Sequence, residues 1–188
     1  MEQRDEWSEG GTMINGVHHI AVSTGDLDRL VDFYTTHLGF DVVMETQWRD
    51  RPVIDAIVGL RNSAARQTML RAGNTHIEVF QYESPVGTPN DPDRPASDHG
   101  YTHFCLDVAD IDAEYERLTA AGMTFHCAPH PIEKMGSGKI RAVYGRDPDG
   151  NLIELQEILD PSLPFAMPDL ATPNQTAAAP TITGGKAV

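Results

Sequence analysis

Two histidines and two glutamates stand at matching places in a repeated sequence. Gly16 to Asp28 reads G-V-H-H-I-A-V-S-T-G-D-L-D, and Gly100 to Asp112 reads G-Y-T-H-F-C-L-D-V-A-D-I-D. His19 precedes Asp26 by seven residues, and His103 precedes Asp110 by the same interval. Each half also ends alike, with I-E-V-F-Q at Ile77 to Gln81 and I-E-L-Q-E at Ile153 to Glu157. A carboxylate on an apolar strand is costly to bury unpaired. Two carboxylates and two imidazoles around one divalent cation cancel that charge and use the lone pairs. The expected metal ligands are therefore His19, Glu78, His103 and Glu154, with the cation held between two copies of one motif. His18 occupies the place of Thr102 in the other copy, which argues against it as a ligand. His76 is either a supporting or substrate-contacting group or a strand residue at the cavity rim.

Elements with apolar faces must carry these residues. A first strand is expected from Val17 to Ser23, where alternation puts His19 on one face with Val17 and Ala21, and His18 on the other. Thr24 or Asp26 caps a helix with Leu27, Leu30, Val31, Tyr34 and Leu38 inward, ended by Gly39. Strands follow at Phe40–Glu45, Arg66–Leu70 and Thr75–Tyr82, with a helix inserted at Pro52–Leu60. The second half repeats the order. It has a strand at Tyr101–Val108, a helix capped by Asp110 and ended by Gly122, and strands at Thr124–Cys127, Ile140–Tyr144 and Leu152–Leu159. Asp147-Pro148-Asp149-Gly150 makes a turn before the last of these. Four strands cannot close a barrel alone. The expected fold is therefore α+β, with two paired βαβββ modules forming an eight-stranded half-open barrel around the metal site.

The predicted boundaries are a flexible lead at 1–13, a first module at 14–83, a linker at 84–99, a second module at 100–160, and a disordered tail at 161–188. Leu163, Phe165 and Met167 are candidate contacts of that tail with the body. A net charge of −14 argues against nucleic-acid or anionic-membrane partners. There is no apolar run of membrane-spanning length, and the acidic start does not read as a signal peptide. Cys105 and Cys127 are not a C-x-x-C pair and read as reduced core thiols, which suits the cytoplasm.

The motifs H-H-I-A-V-x-x-x-D-L, I-E-V, H-F-x-L-D-V-x-D-I-D and D-P-D-G-N-x-I-E-L together resemble the vicinal oxygen chelate superfamily over residues 14–160. That group includes glyoxalase I, methylmalonyl-CoA epimerase, extradiol dioxygenases, and the fosfomycin and bleomycin resistance proteins. The resemblance implies a divalent ion (Fe, Mn, Co, Ni or Zn), a small substrate chelating it through adjacent oxygens, and a homodimer. The leading expectation is a lyase or isomerase of the glyoxalase type, including epimerases, in which Glu78 and Glu154 remove and return a proton. The alternative is Fe(II) extradiol ring cleavage of a catechol by His19, His103 and Glu154. Tyr144, Asp147, Pro148, Gly150 and Glu154 match the extradiol signature and make Tyr144 a candidate catalytic residue. The signature's upstream histidine is missing from the window Met135 to Ser137, and Glu78 would crowd the open positions. A second alternative is a small-molecule-binding resistance protein, although such members lack the ligands. Arg66, Arg71 and Arg141 are the candidate cations for a glutathione-like anion, weighed against ordinary solvated strand positions. Trp48, Tyr82 and Phe104 are candidate pocket walls. The Pro52–Ala65 insertion and the linker are expected to overhang the cavity mouth.

Overall fold

The computed structural model describes residues 14–167. The predicted lead at 1–13 lies outside them, as does most of the predicted tail. The chain runs β1 (His19–Ser23), α1 (Leu27–Leu38), β2 (Asp41–Arg49), α2 (Pro52–Val58), β3 (Ala64–Ala72) and β4 (Thr75–Ser84). It continues through β5 (His103–Asp107), α3 (Ile111–Ala120), β6 (Thr124–Phe125), β7 (Ile140–Arg146) and β8 (Leu152–Ile158). These form two four-stranded sheets, ordered β1-β4-β3-β2 and β5-β8-β7-β6. The architecture is thus α+β with paired βαβββ modules, and the eight strands do not close into a barrel. Among the described residues no helix is long and apolar enough to cross a membrane.

In each module the first strand pairs in parallel with the last, and the remaining pairs are antiparallel. β1 and β5 begin later than alternation alone suggests, at the histidines themselves. The ladder sets this limit. His19 pairs with His76 one residue into β4, and His103 pairs with Leu152 at the first residue of β8. Ahead of β1, His18 keeps only a bond from the Thr75 hydroxyl to its carbonyl at 3.2 Å, and Val17 is 80% exposed.

α1 and α3 start the same way. Asp26 Oδ1 accepts from the Arg29 amide at 3.1 Å, and Asp110 Oδ1 from the Ala113 amide at 3.0 Å. These are carboxylate N-caps, each satisfying a free helix amide. Gly39, at φ 71°, ends α1 in the left-handed conformation. α3 ends instead at Ala121 in a right-handed conformation, one residue before the expected Gly122. The first turns of α1 and α3 are also each latched to the sheet by an arginine. Arg66 on β3 donates to both oxygens of Asp28, at 3.0 and 2.5 Å. Arg141 on β7 donates to both oxygens of Asp112, each at 2.8 Å, and reaches Glu157 at 3.2 Å. Arg71 pairs with Asp41 at 2.9 Å. The three candidate cations for an anionic substrate are thus engaged in ion pairs of the fold.

One continuous core joins the modules. It includes Leu30, Phe33, Tyr34 and Ile77 from the first half, and Phe104, Ile111, Leu118 and Ile153 from the second. Phe104 is therefore buried in the core and also lines a cavity of about 300 Å³. Tyr34 is its pivot. Its ring meets Phe104 edge-on at 6.3 Å, and its hydroxyl donates to the buried Asp147 Oδ2 at 2.7 Å. Asp147 also accepts from the amides of Asp149 and Asn151, each at 2.9 Å, which shapes the D-P-D-G turn. Arg29 of α1 pairs with Asp149 in the same turn. Burial pushes the Asp147 carboxyl up despite these bonds, so it depends on every donor it has. Tyr34→Phe leaves the shape unchanged and removes one donor from a buried acid. The expected loss is about 1–3 kcal/mol of stability, read by urea unfolding. A loss below about 0.5 kcal/mol would remove the pair from the list of contacts that hold the modules together.

Candidate metal centre

In the first module the parallel register sets Glu78 beside Ala21, two residues along from the His19–His76 pair. Glu78 Oε2 lies 3.3 Å from His19 Nε2 across that diagonal. Gln67, on β3, donates its side-chain amide to Glu78 Oε1. Gln67 is itself held by Thr46, whose hydroxyl donates to its carbonyl oxygen at 3.1 Å. One carboxylate oxygen is therefore fixed while the other faces the imidazole. His18 does not point away as alternation suggests, because it precedes the strand. Its ring stacks on His76 at 5.1 Å and 15°, and meets His19 edge-on at 5.2 Å.

On the same face, Glu78, Phe80 and Tyr82 follow one another at every second residue of β4. Trp48 packs edge-on against Phe80 at 6.0 Å and Tyr82 at 5.9 Å. The indole N–H donates to Ser63 Oγ at 2.9 Å. Ser63 in turn donates to Asp55 of α2, through its amide at 2.8 Å and its hydroxyl at 2.5 Å. The inserted helix thus fixes the angle of an aromatic corner beside Glu78. Sequence reasoning named Trp48 and Tyr82 but missed Phe80, Gln67 and Ser63. The period-two spacing from Glu78 was the available signal for Phe80.

In the second module His103 Nε2 lies 3.0 Å from Glu154 Oε2. Cys105 and Tyr144 are the cross-strand neighbours of Glu154. The Tyr144 ring lies 4.7 Å from that of His103. Desolvation and the Glu154 charge push the Tyr144 phenol up, so it stays protonated and able to donate. Cys105 and Cys127 are free and exposed, not core thiols. The packed strands and the Glu154 carboxylate nevertheless push the Cys105 thiol up to about 12.

The structure therefore brings His19 to Glu78, and His103 to Glu154, as two separate pairs. Among the described residues, no three or more His, Cys, Asp or Glu side chains gather in a metal-holding group. A cavity of about 1300 Å³ opens under the linker, lined by Arg29, Arg94, Arg146 and the Asp147–Gly150 turn, and none of the four residues lines it. The linker does overhang a cavity mouth, but not beside the two pairs. The pairs sit on open sheet faces, with His19 and Glu78 side chains 39% and 14% exposed and those of His103 and Glu154 23% and 16%.

Residues 16–155 match the family model of the Glyoxalase/Bleomycin resistance protein/Dioxygenase superfamily. The chain belongs to this superfamily. It is 34% identical over 148 residues to a 2-epi-5-epi-valiolone epimerase of Actinomyces sp., covering 74% of this chain and 77% of that one. It is 27% identical over 146 residues to the mitochondrial methylmalonyl-CoA epimerase of Dictyostelium discoideum, covering 77% and 79%. A glyoxalase family protein from Bacillus cereus shares the fold at a TM-score of 0.71 and 21% identity, covering 81% of this chain and all of that one.

The Cys105 thiol reports on the glyoxalase-superfamily face it shares with Glu154. With the thiol at about 12, only on the order of one molecule in ten thousand carries thiolate at pH 8. Alkylation by iodoacetamide at pH 8, followed by peptide mass spectrometry, should leave Cys105 slow to react. Glu154→Gln removes the neighbouring charge and should speed its labelling several-fold. An unchanged rate would mean that the carboxylate does not act on the thiol.

Proposed function

We propose that this protein is a divalent-metal-dependent enzyme that moves a proton at a carbon next to an oxygen-bearing carbon of a small substrate. The reaction class is epimerase, isomerase or lyase. The observation that carries the reading is the repeat-related pairing of one imidazole Nε2 with one carboxylate oxygen on each sheet face, at 3.3 and 3.0 Å. Each pair offers half of a four-donor set, and the nitrogen and oxygen donors suit a first-row divalent ion. His19, Glu78, His103 and Glu154 would hold it. Such an ion would polarise two neighbouring substrate oxygens as a Lewis acid. The similarity to two epimerases supports the proton-transfer branch.

Glu78, free of the ion, would take the proton through Oε2 while Gln67 holds its other oxygen, and would then lose it to solvent. Glu154, having taken up a proton from solvent, would deliver it from the opposite face. Tyr144 donates a hydrogen bond to the substrate beside Glu154. The Trp48–Phe80–Tyr82 corner excludes water and receives a ring or apolar part of the substrate. The pairs stand apart within one chain, and this supports a homodimer in which the first module of one copy faces the second module of the other. Free cysteines and the absence of a long apolar helix among the described residues are compatible with a cytoplasmic protein.

Two inactive variants test both the chemistry and the assembly. Glu78→Gln and Glu154→Gln homodimers, loaded with Co(II), Ni(II) or Mn(II), should each lose at least about 100-fold of solvent-deuterium incorporation into a 2-oxo thioester or a cyclic polyol ketone. Refolded together in equal amounts, they should recover about a quarter of wild-type exchange, because half the dimers carry one intact site of two. No recovery would put each site within one chain. No exchange by wild type, with oxygen uptake on a catechol under Fe(II), would select ring cleavage instead.

A further inference from the structure

We propose that the cavity of about 300 Å³ lined by β1, β5 and the linker binds a small oxyanion, a phosphate monoester or a carboxylate on a hydroxylated body, and that Arg146 is the group that recognises it. None of His19, Glu78, His103 and Glu154 lines this cavity, so the site stands apart from the proposed metal centre. Arg146 closes β7 and is half-buried. Its Nη1 donates to the Gly150 carbonyl at 2.8 Å, and its Nη2 to the Arg94 carbonyl at 2.6 Å. Among the described residues, the arginines without an acid partner are Arg51, Arg61 and Arg146. Arg51 and Arg61 are exposed to water. Arg146 alone of these is turned in from solvent, and it lines the cavity.

A half-buried cation held only by carbonyl dipoles keeps its charge without a counter-ion. In a chain of net charge −14 that is an expensive place to leave an acid out. The two carbonyls also fix the plane of the guanidinium, so its remaining N–H groups are set in advance as a fork for an oxyanion. Arg94 lines the same cavity, with Asp98 3.8 Å away. The acid among the lining residues is Asp91, whose Oδ1 is occupied by the Asp93 amide at 2.9 Å. The larger cavity under the linker shares Arg146 but adds Asp26, Glu83, Asp93, Asp147 and Asp149, so the cationic end lies in the smaller one. Ser23 and Thr88 also line the smaller cavity, and their hydroxyls make no hydrogen bond among the described residues. They suit the hydroxyls of a ligand or the further oxygens of its anion. The roof is set before any ligand arrives. Gly150, at φ 81°, lies so close under the linker that a Cβ there would come within 3.0 Å of Pro92 Cα. A cavity already formed around a fixed fork spends little binding energy on ordering. Its volume is at the small end of ligand cavities and suits a small metabolite.

Isothermal titration calorimetry of the full-length protein, as purified and again after chelator treatment, tests this with glycerol 3-phosphate, D-glycerate and glycerol at constant ionic strength. At least one of the two anions should bind at a single site per chain, equally well before and after chelation, and glycerol should not bind. The phosphate and carboxylate arms show which oxyanion the fork prefers. Arg146→Met should weaken binding about 10-fold or more, the usual cost of losing hydrogen bonds to a charged group. Arg146 also ties the linker to the turn, so Thr88→Val is the companion variant. Its hydroxyl holds nothing in the fold, so the substitution should leave the melting temperature at the wild-type value and weaken binding about threefold or more. In ¹H–¹⁵N spectra the Arg146 Nε–H resonance, assigned by its loss in Arg146→Met, should move as the anion is added. Failure of both anions to bind, equal binding of glycerol, binding that disappears with chelation, or wild-type affinity in either variant overturns the proposal. None of these outcomes bears on the metal reading except the loss with chelation, which would place the anion on a bound cation instead.

Discussion

A parallel strand pair cannot be joined by a tight turn, so the chain must travel out and back before its ends can bond. In each module that journey is a helix and two antiparallel strands, and it ends with the last strand lying alongside the first. This pairing sets an imidazole at the start of one strand diagonally across from a carboxylate in the middle of another. The N-cap, the arginine latch and the buried helix face all serve to hold that first strand where the last can reach it. Loss of parallel register by one residue would turn Glu78 or Glu154 to the helix side, because side chains alternate faces.

The two modules are bound to each other by quite different means. Their sheets share no ladder. They meet through a common core and through a buried tyrosine–aspartate bond, with the aspartate doubling as the organiser of the turn that leads into β8. The junction therefore couples the placement of the second module to the local shape of the loop before Glu154. This economy places a costly buried acid where four backbone and side-chain donors can offset it.

Much of this was legible in the chain itself. The duplication, the Asp110 cap, Asp26 as one of two candidate caps, Gly39 as a left-handed terminator, and the order of strands and helices follow from residue spacing. So do the faces shared by His19 and Glu78 and by His103 and Glu154. Other features depend on partners distant in sequence. Alternation placed His18 on the wrong side because nothing local reveals that the ladder starts only at His19. Arg66 and Arg141 looked like free cations because their aspartates lie on another element. Cys105 looked like core because its strand is apolar, although its own face is open. The separation of the four predicted ligands into two pairs depends on how the modules dock, which no motif encodes.

Where the second module has only a three-residue 3-10 turn, Ile132–Lys134, the first carries the longer helix α2, and its Asp55 acts through Ser63 to aim the Trp48 indole. Descent from one duplicated ancestor would leave two like jaws. Instead, one jaw is now aromatic, while the other carries a phenol and a thiol. A guest lying between unlike jaws would meet different side chains at its two ends, and the seven-residue helix of the first half shapes one of those ends through Asp55 and Ser63.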